Sequence, residues 1–287
     1  MARGRQKTVA SVSGANVRSL TVFARLPGRV AASAPSTAST RDVLLALTRS
    51  DIKTRYGRGP LRTVKWVADP FAALGVYLAL IALVIDRPGI APGLSIACAV
   101  VPFQLLMSTS VNALRAVDVR RSIIANMGFP RVLIPIATAM TELVSFTATL
   151  LILPIMMAVY GIAPTPAILL LPLMIAITFV LAVAFAYPVS LIGVWMPDVN
   201  PFIVSAIRTM FFLAPGLIAL EEVYGYTHDV LMLNPVTGIF EGFRAILIDG
   251  QAPAWWHVLA PIGYAVVLLA IFVPVYRREQ RHFAKLL

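Results

Sequence analysis

From Ala167 to Trp195 the chain runs for 29 residues without one charged side chain. A helix that long rises about 44 Å, more than enough to cross a bilayer core about 30 Å thick. Comparable apolar runs occupy about 66–85, 94–111, 132–159, 202–220 and 255–276, so the sequence predicts six transmembrane helices in 287 residues. Composition agrees, with 59% of residues apolar and 13% charged, where a soluble domain carries about a quarter charged residues. Water-soluble folds are excluded, and disorder is excluded outside the N-terminus, because a disordered chain needs low hydrophobicity. The fold class is an all-α polytopic membrane protein.

The net charge is +11. Of 24 Lys and Arg residues, 13 lie in residues 1–65, four in 112–131 and four in 276–287. Basic clusters separated by pairs of apolar spans are what the positive-inside rule expects of loops on one face. Both termini and the 112–131 loop are therefore expected on the cytoplasmic side. The charge is read as facing lipid headgroups and a protein partner, not nucleic acid.

Residues 1–40 carry no acid and no apolar stretch long enough for a signal-peptide core, and read as a disordered basic cytoplasmic tail. Residues 41–62 read as an amphipathic interface helix and its junction. Val43, Leu44, Leu47, Ile52 and Tyr56 favour one side, and Arg49, Asp51, Lys53 and Arg55 the other. The transmembrane domain fills 63–287. Within it, 221–254 is apolar but interrupted by Asn234-Pro235, Glu241 and Arg244. Counting it as a span would put the basic C-terminus on the wrong side, so it is expected to be an external segment of short re-entrant helices. Such backbone is tolerated where protein or water satisfies its polar groups, which places it beside a pathway.

No G-x-x-x-x-G-K-[ST], H-E-x-x-H, G-x-S-x-G or Gly-rich dinucleotide turn occurs. If ATP drives this protein, another chain binds it. Cys98 is a lone thiol in an apolar run, and His228, His257 and His282 do not form a metal-ligand pair at helical spacing. No enzymatic constellation and no metal site are expected. Glu142 is the one acid deep in an apolar run, and intramembrane acids are costly enough to be functional candidates; a structural bond to a neighbouring helix is the alternative. Arg208 reads as an anchor near the cytoplasmic surface. Glu241 and Arg244, spaced i, i+3, are expected to pair on a short helix. The aromatics Tyr187, Trp195, Phe211, Phe212, Tyr224, Tyr226, Trp255 and Trp256 read first as packing or lipid-belt residues, and alternatively as sugar-stacking platforms.

Several segments together resemble the membrane subunit of ABC-2 type polysaccharide exporters, the Wzm-like family that exports O-antigen, capsule, teichoic acid and related lipid-linked glycans. Arg41-Asp42-Val43-Leu44 through Arg49-Ser50-Asp51-Ile52-Lys53-Thr54-Arg55-Tyr56 is similar to the family's interface helix. Asn112-Ala113-Leu114, Ile123-Ile124 and Gly128-Phe129-Pro130-Arg131-Val132-Leu133-Ile134-Pro135 resemble its first cytoplasmic loop. Asn234-Pro235-Val236-Thr237-Gly238 with Glu241 and Arg244 resembles its external segment, and Tyr276-Arg277-Arg278-Glu279 with Phe283 its ending. The resemblance runs from about residue 41 to the C-terminus. Two features depart from it: Gly59-Pro60-Leu61-Arg62 has Arg where the family usually has Gly, and the first 40 residues lie outside the pattern.

The resemblance implies a homodimer in the bacterial plasma membrane, served by two copies of a separate ATPase that holds ATP and Mg. No cofactor is implied in this chain. The 112–131 loop would couple to the ATPase through Arg120, Arg121, Asn126, Phe129, Pro130 and Arg131. Arg49, Arg55, Arg58 and Arg62 would meet the pyrophosphate of a lipid-linked glycan, since Arg matches phosphate geometry. Spans one and five would line the channel, with Phe71, Tyr77, Phe211, Phe212, Asn234, Glu241 and Arg244 at the channel or its external gate. Of the 24 basic residues 20 are Arg, a bias that suggests a GC-rich genome, in which family members are expected to export cell-wall galactan. Two other readings stay open: an ABC-2 exporter of small lipophilic drugs, and a membrane-embedded glycosyl- or lipid-transferase.

Overall fold

Proline and glycine decide where the helices of this chain begin and break. The computed structural model describes residues 39–56, 91–121, 129–216, 219–220, 223 and 225–280, together with 68, 72 and 75. The expected N-terminal tail, the junction after the interface helix, most of the first span including Phe71 and Tyr77, Arg58, Arg62, Asn126 and the end of the chain lie outside the described residues.

The described elements are all helical: α1 (Thr40–Tyr56), α2 (Pro92–Ala113), α3 (Ala116–Val119), α4 (Leu133–Leu150), α5 (Ile152–Val159), α6 (Leu171–Trp195), α7 (Asn200–Phe212), α8 (Tyr226–Met232), α9 (Thr237–Leu247) and α10 (Trp255–Glu279). Two 3₁₀ turns, Pro166–Leu170 and Pro197–Val199, lead into α6 and α7. Proline opens α2 and both 3₁₀ turns, where a missing N–H is no loss. The break between α4 and α5 follows from Pro154, which cannot donate to the carbonyl of Leu150 four residues earlier.

Four helical stretches are long and apolar enough to cross a membrane: Pro92–Ala113, Leu133–Val159, Pro166–Trp195 and Trp255–Glu279. They fall on the expected second, third, fourth and sixth spans. The expected fifth span, 202–220, does not form as one helix. α7 stops after 13 residues, about 20 Å of rise, and the chain turns through Leu213–Gly216. Pro215 has no N–H for the Phe211 carbonyl and Gly216 follows it, so the helix has no continuation there. After it, α8 and α9 meet at 96°, the geometry of a broken span or a re-entrant loop.

Helix α2 sits at the centre of the bundle, with 15 of its 22 residues buried, while α10 buries only four of 25. The outer face of α10, with Trp255, Leu259, Val266, Val267 and Ile271 exposed, suits lipid. Small residues set the helix spacing. A Cβ at Gly193 of α6 would overlap the backbone of Leu114 just past α2, and one at Gly242 of α9 would overlap the end of Met174. Phe103, Phe211 and Phe240 form an aromatic knot, with ring centroids 5.2, 5.8 and 6.3 Å apart, that joins α2, α7 and α9. A second apolar cluster gathers Val117, Ile134, Tyr187, Leu191 and Tyr276 at the basic end of the bundle.

Candidate functional site

Two polar clusters lie at opposite ends of this apolar bundle. The first occupies the end where the exposed arginines Arg115, Arg121, Arg277 and Arg278 gather. Helix α1 lays Leu47 and Thr48 into the protein and packs along α4. This brings its polar positions 51 and 55 opposite α4 and the end of α2. Asp51 pairs with Arg120, and Arg55 pairs with Glu142. Arg120 also donates to the Ala116 carbonyl at 2.9 Å and the Thr138 hydroxyl at 3.2 Å, while Asn112 Nδ2 donates to Glu142 at 2.9 Å. Around the two pairs is a cleft of about 470 Å³, whose open side carries Ser50, Thr54 and Arg115. Isolated carboxylates are not stable inside a membrane protein; this one is held by two donors, one of them cationic.

The loop that follows is tied back to the bundle. Arg131 Nη1 donates to the carbonyl of Gln280 at 2.6 Å, and Tyr187 donates to the carbonyl of Val132 at 3.0 Å. Tyr187 packs edge-on against Tyr276, centroids 5.4 Å apart, so the start of α4, the later part of α6 and the end of α10 are tied together. Of the expected coupling residues, Arg121 and Pro130 are exposed, Phe129 and Arg131 are half-buried, and Arg120 is buried at 4% exposure. Arg120 therefore does not face a partner. It faces Asp51, because α1 covers it. Of the expected phosphate-binding arginines, Arg49 is exposed, and Arg55 is partly exposed beside Glu142.

The second cluster lies at the far end. Arg244 of α9 donates to Glu241 at 2.6 Å, to the Ser95 hydroxyl at 3.0 Å and carbonyl at 3.3 Å, and to the Gly216 carbonyl at 3.4 Å. Glu241 in turn accepts from the Leu220 amide at 3.0 Å. One buried pair thus pins α9, the top of α2 and the turn after α7 to one another. Asn234 donates to the Met210 carbonyl at 2.9 Å and accepts from the Val236 amide at 3.1 Å, capping the corner between α8 and α9. Phe211 is buried in the aromatic knot and Phe212 is exposed beside it.

Glu142, Arg55, Glu241 and Arg244 are thus brought into two ion-pair clusters, the Glu241–Arg244 one buried and the Arg55–Glu142 one buried at its carboxylate end. Sequence reasoning missed Asp51, Asn112 and Ser95, which complete them. The amphipathic pattern sets Asp51 with Arg49, Lys53 and Arg55 on the polar side of α1; the signal for its role is that it is one of only two acids among the 13 basic residues of 1–65. Ser95 carries no such signal. Among the described residues, no group of three or more His, Cys, Asp or Glu is placed to hold a metal ion.

No protein-family model matches the chain. Curated relatives do. An O-antigen export system permease protein RfbA from Myxococcus xanthus is 24% identical over 249 residues, which is 85% of this chain and 95% of the relative. Two proteins of the same description from Klebsiella pneumoniae are 22% and 23% identical, each over 86% of this chain and 95% of theirs. The matched length equals nearly the whole of each relative. Along about 85% of its length this chain is therefore similar to O-antigen export system permease proteins, the kind of ABC-2 polysaccharide-export permease that its own segments resemble.

Proposed function

We propose that this chain is the transmembrane subunit of an ATP-driven exporter that carries a lipid-linked polysaccharide from the cytoplasm across the plasma membrane. The observation that carries the proposal is the match, over about 85% of this chain and 95% of each relative, to O-antigen export permeases. With no Walker motif in the sequence, ATP and Mg belong to a separate ATPase, two copies serving a homodimer of this chain.

In this reading the basic end is cytoplasmic. The exposed Arg121 and Pro130 of the 112–131 loop would present a basic surface to an acidic groove of the ATPase. A push on that loop passes to α1 through Arg120 and Asp51, and to α4 through Arg55 and Glu142. Arg49 and the open side of Arg55 would receive the carrier pyrophosphate, and the bent α8–α9 pair would form the external gate. A cell-wall galactan is the cargo we favour.

Pull-down of the tagged chain from detergent, followed by an ATPase assay, tests the proposal. The expected result is a stoichiometric nucleotide-binding subunit that is lost when Phe129–Arg131 is replaced. A chain that purifies with no ATPase overturns it.

A further inference from the structure

Helix α2 is the central helix of the bundle, yet the little surface it shows is polar. Over 96–113 only Gln104, Met107, Ser108, Val111 and Asn112 are not buried. Three of these five are polar, against two of the thirteen buried ones, Thr109 and Ser110. We propose that the row Gln104, Ser108 and Asn112 is a wall of the pathway by which the glycan enters the membrane, with neutral donors and acceptors for its sugar hydroxyls. The proposal rests on the polysaccharide-export reading.

The row begins in a cleft already described. Spacing i, i+4, i+8 stacks the three side chains on one face of the helix. Asn112 Nδ2 donates to Glu142 at 2.9 Å, and Gln104 Nε2 donates to Ser108 Oγ at 3.2 Å. Asn112 and Glu142 line the cleft of about 470 Å³ at the basic end, and so does Arg115, one turn beyond Asn112. From Asn112 the row runs eight residues, about 12 Å of rise, to Gln104 near the middle of the 22-residue helix. A polar surface that opens at the basic end of the bundle therefore reaches the centre of a span.

A face turned to lipid looks different. The outer face of α10 shows Leu259, Val266, Val267 and Ile271, because an amide set in hydrocarbon loses its water bonds at a high cost. The row on α2 has the composition of a face turned to water, and inside a membrane such a face lines a cavity. Its groups also suit the cargo. Amides and hydroxyls each donate and accept, so they can exchange a bond to water for one to a sugar hydroxyl at little net change. That suits a polymer that has to slide past and not stay. An apolar cargo would strip water from the same amides and return nothing, which is costly.

Thiol labelling of inverted membrane vesicles tests this, with the full transporter, its lipid-linked glycan and ATP-driven glycan uptake as the readout. A charged methanethiosulfonate is added to Gln104→Cys, to Ser108→Cys and, on the outer face of α10, to Val267→Cys. The parent, whose single thiol Cys98 is fully buried, is the blank. The expected result is modification at 104 and 108 about tenfold faster than at 267, since the reactive thiolate forms in water and not in hydrocarbon. Modification at either position stops uptake, and a reductant that removes the label restores it. Ser108→Cys exchanges one oxygen for sulfur and decides the matter if Gln104→Cys does not assemble. Labelling no faster than at 267, a disulfide joining two copies through 108, or uptake unchanged by a full label each overturns the pathway alone. Parent vesicles that take up no glycan overturn the export reading, and the glycan path with it.

Discussion

Arg55 of α1 donates to the carboxylate of Glu142 of α4 across 87 residues of sequence, and the two ends of that bond see different surroundings. Glu142 is 3% exposed and Arg55 is 41% exposed. Removing each partner therefore has a different effect. Arg55→Ala takes the cationic donor from a buried carboxylate that the Asn112 amide still meets, and costs about 2 kcal/mol, less than the full penalty of a fully buried pair because one end already touches solvent. Glu142→Gln keeps an acceptor for Asn112 and removes the buried charge, at about 1 kcal/mol. The double variant should melt with Glu142→Gln alone, since the stranded charge is gone. Thermal unfolding of the detergent-purified chain gives the ranking, and a Glu142→Gln variant less stable than Arg55→Ala contradicts it.

Arg120 and Arg121 are neighbours in sequence with opposite environments, one under α1 and one on the surface. Under the exporter reading they separate two steps. Arg121→Met removes a surface charge and should weaken co-purification of the ATPase. Arg120→Met replaces a buried guanidinium with an apolar chain of similar length, and Asp51, 22% exposed, can turn to the cleft. It should keep the ATPase bound while export falls, because the loop no longer pulls on α1. Export and co-purification measured on the same two variants decide this; loss of the ATPase in both would show that Arg120 acts through the surface.

How far the sequence foretold this arrangement depends on which interactions are local. The expected second, third, fourth and sixth spans were legible because hydropathy over 20 residues is a local property, and so was the Glu241–Arg244 pair at i, i+3. The shape of α7 was legible in principle too. Ala214-Pro215-Gly216 stops a helix on backbone grounds alone, yet the surrounding hydropathy hid it. The ion pairs of α1 were not legible. Asp51 and Arg120 are 69 residues apart, and nothing in an amphipathic pattern distinguishes a charge facing water from one facing a buried guanidinium. Nor could Ser95 be found, since a serine in an apolar helix signals a partner only once α9 is seen to lie against it.

Glycine contacts give a prediction independent of charge. Gly193 meets the backbone of Leu114 so closely that a Cβ has no room, while Gly263 on the exposed face of α10 has nothing within 4 Å of a Cβ. Backbone cannot rotate away as a side chain can. Gly193→Ala should force α6 from the end of α2 and cost about 3 kcal/mol, the upper range for overpacking. Gly263→Ala should be neutral or slightly stabilising, because alanine is the better helix former. Parallel melting of the two variants tests the pair, and equal stability would mean that the α2–α6 crossing is not set by Gly193.

Arg244 makes the sharpest case, because its guanidinium spends several donors on groups from three different segments. Lysine carries the same charge on one compact ammonium and cannot reach Glu241, Ser95 and the Gly216 carbonyl together. Arg244→Lys should keep the bond to Glu241, lose the others, and cost about 2 kcal/mol. Arg244→Met is worse, at about 3–5 kcal/mol, because Glu241 stays buried with its charge and loses its cationic partner. Changing Glu241→Gln on top of Arg244→Met removes that charge while leaving an oxygen for the Leu220 amide, so the double variant should regain most of the loss. The order of melting temperatures is then parent, double variant, Arg244→Lys close to it, and Arg244→Met last. If Arg244→Met and the double variant melt together, charge at Glu241 is not what Arg244 offsets, and its role reduces to the Ser95 and Gly216 contacts.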